Sequence, residues 1–224
     1  MSAPAGIELS GVRFARPGGA FRLAADALAV PRGARVACFG PSGTGKTTLV
    51  ELLAGILVPD AGRVAVDGTP VSSLDEDARR AWRRARVGLV FQGFELLEYL
   101  SALDNVLLPY HLAGRAGPEA RARALRLLER TGVAHARERL PARLSQGERQ
   151  RVAVCRALVT EPALLLCDEV TGSLDPRAAE ETLALLFEEA QRCGATLFFV
   201  THDHALLGRF DRAFDVRSLA GGAA

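Results

Sequence analysis

Lys46 is the only lysine of the chain; arginine supplies the rest of the 28 basic residues. A compact ammonium fits where a planar guanidinium fork does not, so a single retained lysine marks a position with a task. It stands in Gly40-Pro41-Ser42-Gly43-Thr44-Gly45-Lys46-Thr47, which fits GxxxxGK[ST] between a strand and a helix. Glycines in such a loop let backbone N–H groups point inward around a polyphosphate, and the helix N-terminus adds a favourable dipole. In that chemistry Lys46 reaches the β- and γ-phosphates and the Thr47 hydroxyl holds Mg²⁺.

Other residues have complementary chemistry. Leu164-Leu165-Leu166-Cys167-Asp168-Glu169 is an apolar strand ending in two adjacent acids. Consecutive carboxylates are expensive on a buried strand unless they emerge at its C-terminal end, where open α/β sheets bind ligands. Asp168 is placed to hold magnesium through water, and Glu169 to accept a proton from an attacking water. Gln92, Asp175 and His202 each stand at the end of an apolar run or ahead of a helix. Ser145 and Glu148 have the SxxE spacing of a capping box. Used functionally, that same helix start, with Gly147, is an anion site aimed outward, far from the phosphate loop in sequence.

The elements that must position these residues are set by periodicity. Ile7, Leu9, Val12 and Phe14 read as extended, and Phe21, Leu23, Ala25, Ala27 and Ala29 alternate with period 2. Strands are expected at 35–39, 64–66, 87–91, 163–167, 197–200 and 213–216. Helices are expected at 47–54, 75–86, 102–112, 118–131, 146–160 and 176–192. The arginines of 75–86 read as a solvated face, and the tail SLAGGAA as frayed. Apolar strands without alternation imply a sheet covered by helices on both faces, carrying a helical insert at about 93–160.

Composition narrows the classes further. The chain has 224 residues, 49% hydrophobic and 24% charged, a globular balance, and its net charge of +2 gives no reason to expect nucleic acid as a partner. No run of apolar residues is long enough to span a membrane, and the N-terminus does not read as a signal peptide, so a cytoplasmic location is expected. Cys38, Cys155, Cys167 and Cys193 lack the clustering of a metal or redox site and read as reduced thiols.

Taken together, the set resembles the ABC-transporter ATPases. The matching pieces are GPSGTGKTT at 40–48, Gln92 as the Q-loop, LSQGERQRVAVCRAL at 144–158 as the signature, LLLCDE at 164–169, Ser173-Leu174-Asp175 as the D-loop, and VTHD at 200–203 as the His switch. Their order agrees from near residue 7 to about 216. The stretch 87–114 is similar to the LolD/MacB/FtsE-type branch of lipoprotein-release, macrolide-export and cell-division ATPases. The resemblance implies one ATPase domain over 1–224: an α/β P-loop NTPase core, an antiparallel β subdomain near the N-terminus, and an inserted α-helical subdomain. It implies ATP and Mg²⁺ as cofactors, with Phe14, residues Gly40 to Thr48, Gln92, Ser145, Gly147 and Asp175 on the nucleotide. Thr47, Gln92 and Asp168 would be on the metal, and Lys46, Glu169 and His202 catalytic. The implied partners are a second copy, head to tail, and a membrane permease, which would hold the chain at the inner face of the membrane. A soluble ABC ATPase or a regulatory module is the alternative. Three departures stand out: Gln146 replaces the first glycine of LSGGQ, Glu148 its glutamine, and Val170 the proline common after the acid pair. Arg149 or Arg151 is the expected counter-charge for Glu148. Phe14 stands where the family has an adenine-stacking aromatic, and reads equally as core.

Overall fold

The computed structural model describes residues 5–16, 18, 22–172, 174 and 176–221. Two sheets organise them. The larger is parallel, in the order β5 (Val87–Phe91), β6 (Leu164–Asp168), β7 (Thr196–Val200), β3 (Arg35–Phe39), β8 (Arg212–Asp215). Its centre is covered on both faces, which is why β6 and β7 are buried at every position and show no alternation. Leu165, Cys167, Leu197 and Phe199 join a core with the helices of the insert, whereas Leu164, Leu166, Phe198 and Val200 join a core with the smaller sheet.

Register decides where the functional residues emerge. Phe91 pairs with Asp168, Asp168 with Val200, and Val200 with Cys38. Because the strands run parallel, the loops after them leave the sheet along one edge, carrying Gln92, Glu169, His202 and the turn from Gly40. This is the edge at which open α/β sheets hold ligands.

The smaller sheet is antiparallel, in the order β2 (Arg22–Pro31), β1 (Ala5–Ala15), β4 (Ala61–Val66). The alternation expected for β2 slips midway. Leu23 and Ala25 are buried, but Ala27 and Ala29 are exposed while Leu28 and Val30 take the inside; Phe21 lies outside the described residues. The cause is in β1, whose inward set skips from Leu9 to Val12 across Gly11, at φ 58°. Leu9 stays opposite Leu28 and Val12 opposite Ala25, so both strands change face together. Glycine is required here: a Cβ on Gly62 would lie 2.3 Å from the Gly11 carbonyl.

The helices lie close to their expected places: α1 (Lys46–Leu53), α2 (Glu76–Arg86), α3 (Ala102–Leu112), α4 (Pro118–Arg130), α5 (Gln146–Leu158) and α6 (Pro176–Cys193). Only part of the arginine cluster of α2 is a solvated face: Arg80, Arg84 and Arg86 are exposed, whereas Arg79 and Arg83 are half-buried and donate to the carbonyls of Leu74 and Gly55. Asp75 caps the helix by accepting from the Ala78 N–H. The tail departs from expectation. Val216–Gly221 forms 3₁₀ turns with Leu219 fully buried, because that leucine completes the core beside β2. Residues 222–224 lie outside the described residues.

Candidate nucleotide site

The turn from β3 into α1 takes backbone conformations that suit glycine. Gly40, Gly43 and Gly45 have φ of 148°, 79° and 100°. Gly45 caps α1 without a side chain, so the first N–H groups of the helix remain for a ligand. Lys46 is 6% exposed, and its ammonium donates to the carbonyls of Gly40 at 2.9 Å and Pro41 at 3.0 Å. Pro41 also accepts from the Thr44 hydroxyl at 2.7 Å. These bonds hold the loop open around a cavity of about 360 Å³, into which Ser42, Gly43, Gly45, Lys46, Thr47 and Thr48 all face.

The acid pair closes the other side. Gln92, Asp168 and Glu169 line the same cavity. Burial raises the Asp168 carboxyl above the usual carboxylate range, and the neighbouring Glu169 adds to the rise. A hydrogen bond with the Thr47 side chain and the Lys46 charge oppose it. Glu169 sits in the left-handed region at φ 52°, a conformation rare for a non-glycine residue and frequent at functional turns. Its N–H donates to Val200 at 3.0 Å and its carbonyl accepts from Gly172 at 3.1 Å. The turn presents its carboxylate between two bases: Oε1 lies 3.8 Å from Lys46 Nζ, and Oε2 lies 3.6 Å from His202 Nδ1. His202 belongs to a second cavity, shared with Glu169.

A hydroxyl, a carboxylate and an amide converging beside a phosphate loop are the hard oxygen donors that Mg²⁺ takes together with substrate phosphates. Among the described residues no cluster of three His, Cys, Asp or Glu forms a cage of its own. The cysteines take no part. Burial pushes the Cys38 and Cys155 thiols up to about 12 and raises Cys167 and Cys193 as well.

Several expected residues do not line this cavity: Gly40, Pro41 and Thr44 make the loop's own hydrogen bonds, and Phe14, Ser145 and Gly147 lie elsewhere. Phe14 is 8% exposed and packs into the core under the small sheet; the face change at Gly11 turns its ring inward. Ser145 and Gly147 sit at the start of α5 and do not line it. There Ser145 Oγ accepts from the Glu148 N–H at 3.2 Å, and Glu148 Oε2 accepts from the Ser145 N–H at 2.7 Å, a complete capping box. Asp175 lies outside the described residues.

The side-chain partners of Glu148 also differ from expectation. His135 Nε2 is 2.9 Å and Arg139 Nη1 3.9 Å from its Oε1, while Arg149 turns back to donate to the Leu144 carbonyl. Sequence reasoning missed two further residues. Gln150, 1% exposed, donates to the Val170 carbonyl at 3.0 Å and ties α5 to the turn after Glu169. Arg16 lines the phosphate cavity from the end of β1. Neither has a signal in residue spacing.

A phosphate loop facing a strand-end acid pair on this frame defines an ATPase of the P-loop class. The chain belongs to the ABC transporter family, whose profile matches residues 23–172. It is 44% identical over 209 residues to the methionine import ATP-binding protein MetN of Rhodopseudomonas palustris (strain BisB5), covering 91% of this chain and 56% of that protein. It is 43% identical over 185 residues to the lipoprotein-releasing system ATP-binding protein LolD of Bacteroides thetaiotaomicron, covering 83% of this chain and 85% of that one. The dimeric post-hydrolysis structure of the ATP-binding cassette MJ0796, bound to ADP and Pi, matches with a TM-score of 0.82 at 32% identity, over 93% of both chains.

Proposed function

We propose that the chain is the ATP-hydrolysing subunit that powers a separate membrane permease, in the branch of the lipoprotein-releasing ATPases. The observation that carries the hydrolytic step is the place of Glu169, at the mouth of the phosphate cavity between Lys46 and His202. Lys46 and the loop N–H groups bind the β- and γ-phosphates, and Thr44, Pro41 and Gly40 hold the loop in shape. Thr47, Asp168 and Gln92 would hold Mg²⁺, which when bound would neutralise charge on the phosphate oxygens. Glu169 accepts the proton of the attacking water, and His202 orients that carboxylate from its far side. Two copies meet head to tail, each phosphate loop facing the partner's Ser145 helix, with Asp175 at the seam. Among the described residues no helix is long and apolar enough to cross a membrane. The reading, which rests on the likeness to ATP-binding subunits of transport systems, places the chain against the permease at the inner face of the membrane.

Glu169→Gln tests it. The amide keeps the size of the side chain and removes the proton acceptor. ATP binding is expected to survive while turnover falls ~10²-fold or more, and an ATP-bound dimer accumulates. Turnover near that of the unsubstituted chain, in a steady-state phosphate-release assay, would remove Glu169 as the general base.

A further inference from the structure

We propose that Arg16 is a nucleotide-binding residue, gripping a phosphate oxygen that ATP and ADP share; the proposal rests on the ATPase reading above. Arg16 follows the last residue of β1 and lines the phosphate cavity together with Ser42, Gly43 and Thr48. Among the described residues lining that cavity, Arg16 and Lys46 are the cations. Lys46 is engaged with loop carbonyls and Glu169. Arg16 is differently placed: its side chain is 52% exposed, with Nη2 at 3.4 Å from Thr48 Oγ1 and 3.0 Å from Glu51 Oε2.

The acids and Arg16 meet the cavity beside different residues of α1. Asp168 hydrogen-bonds with Thr47, and Glu169 lies beside Lys46. Arg16 is on the Thr48 side, one residue further into α1. The acids belong with the metal and the water, hence with the terminal phosphate. A guanidinium beside Thr48, one residue away from the acids' partner, meets the part of the polyphosphate nearer the nucleoside, which ADP retains. Its planar fork suits two phosphate oxygens at once, and a phosphate is a stronger attraction than the part-exposed Glu51 carboxylate it now holds. Phe14, buried in the core, leaves this wall of the cavity to Arg16.

The test is calorimetric titration of the full chain with ATP, ADP and inorganic tripolyphosphate, each with Mg²⁺. Arg16→Gln is expected to weaken all three by about tenfold, the worth of one charge-assisted hydrogen bond. Glu51→Gln, which frees Arg16, is expected to bind at least as tightly as the unsubstituted chain. ADP binding unchanged by Arg16→Gln would overturn the proposal. So would weaker nucleotide binding with tripolyphosphate unaffected, which would assign Arg16 to the base. An equal loss in Glu51→Gln would show that the ion pair serves the loop and not the ligand. Failure of the unsubstituted chain to bind ATP at all would instead sink the ATPase reading.

Discussion

Asp168 is held at a thermodynamic disadvantage. Burial raises its carboxyl above the ordinary carboxylate value, so the folded chain holds that proton more tightly than the unfolded chain does. Stability linked to this group is therefore unaffected below the ordinary carboxylate range and falls as pH rises through the folded-state value. Asp168→Asn removes the penalty. In the nucleotide-free protein it is expected to melt higher than the unsubstituted chain near neutral pH, with the gain vanishing in acid, while ATP turnover is lost. Thermal melts across pH check this; a variant that melts lower at neutral pH would mean that the carboxylate stabilises the fold. At this scale the residues that the cavity gathers were legible where residue type coincides with a strand end, as at Asp168 and Glu169, or with the loop that follows one, as at Lys46. It was illegible where a side chain's direction depends on a bulge elsewhere. Phe14 has the right type for stacking, but the glycine at position 11 turns it into the core. Arg16 is one arginine in a chain that uses arginine throughout, so only its position in the cavity distinguishes it.

The start of α5 shows how one element reconciles a structural and a functional demand. Glu148 stands where the family has glutamine and would bring a negative charge to a helix end meant for an anion. The Ser145 backbone N–H, and behind it the Ser145 hydroxyl and His135, hold its carboxyl below the usual range. His135 and Arg139 are thus its side-chain partners. Replacing both by alanine is expected to slow ATP turnover of the dimer about fivefold, since an uncompensated charge near the phosphates costs on the order of 1 kcal/mol in a solvated cleft. Adding Glu148→Gln restores turnover, because an amide needs no counter-charge. A triple variant as slow as the double would show that His135 and Arg139 act by another route. Helix starts and stops were legible because caps and periodicity are local, as with Asp75 before α2 and Ser145 before α5. The partner of a charge was not. Nearness in sequence favoured Arg149 and Arg151, whereas the chain brings in the 3₁₀ turn at Ala134–Ala136 and the segment after it.

At the scale of the whole molecule, the parallel register gathers the phosphate loop, the acid pair and Gln92 at one edge. The loops after β3, β5, β6 and β7 meet there, but Ser145 and Gly147 do not line their cavity. On the reading proposed here a second copy supplies these residues, and the solved cassette that this chain resembles is dimeric. Ser145→Asp separates its two roles. As a cap, Asp is as good as Ser, so the bond to the Glu148 N–H survives and the melting temperature stays near that of the unsubstituted chain. As a ligand across the dimer, Ser145 must donate to a phosphate, which an aspartate cannot do, and its charge would face the phosphate in a closed, low-dielectric seam. Ser145→Asp is therefore expected to abolish ATP-driven dimerisation and hydrolysis while single-chain ATP affinity holds. Ser145→Ala, which loses the cap, should lose about 1 kcal/mol of stability as well as activity. Size-exclusion chromatography with ATP, run beside melting and turnover, distinguishes these. Normal hydrolysis by Ser145→Asp would reduce the motif to a helix cap and remove the head-to-tail pairing.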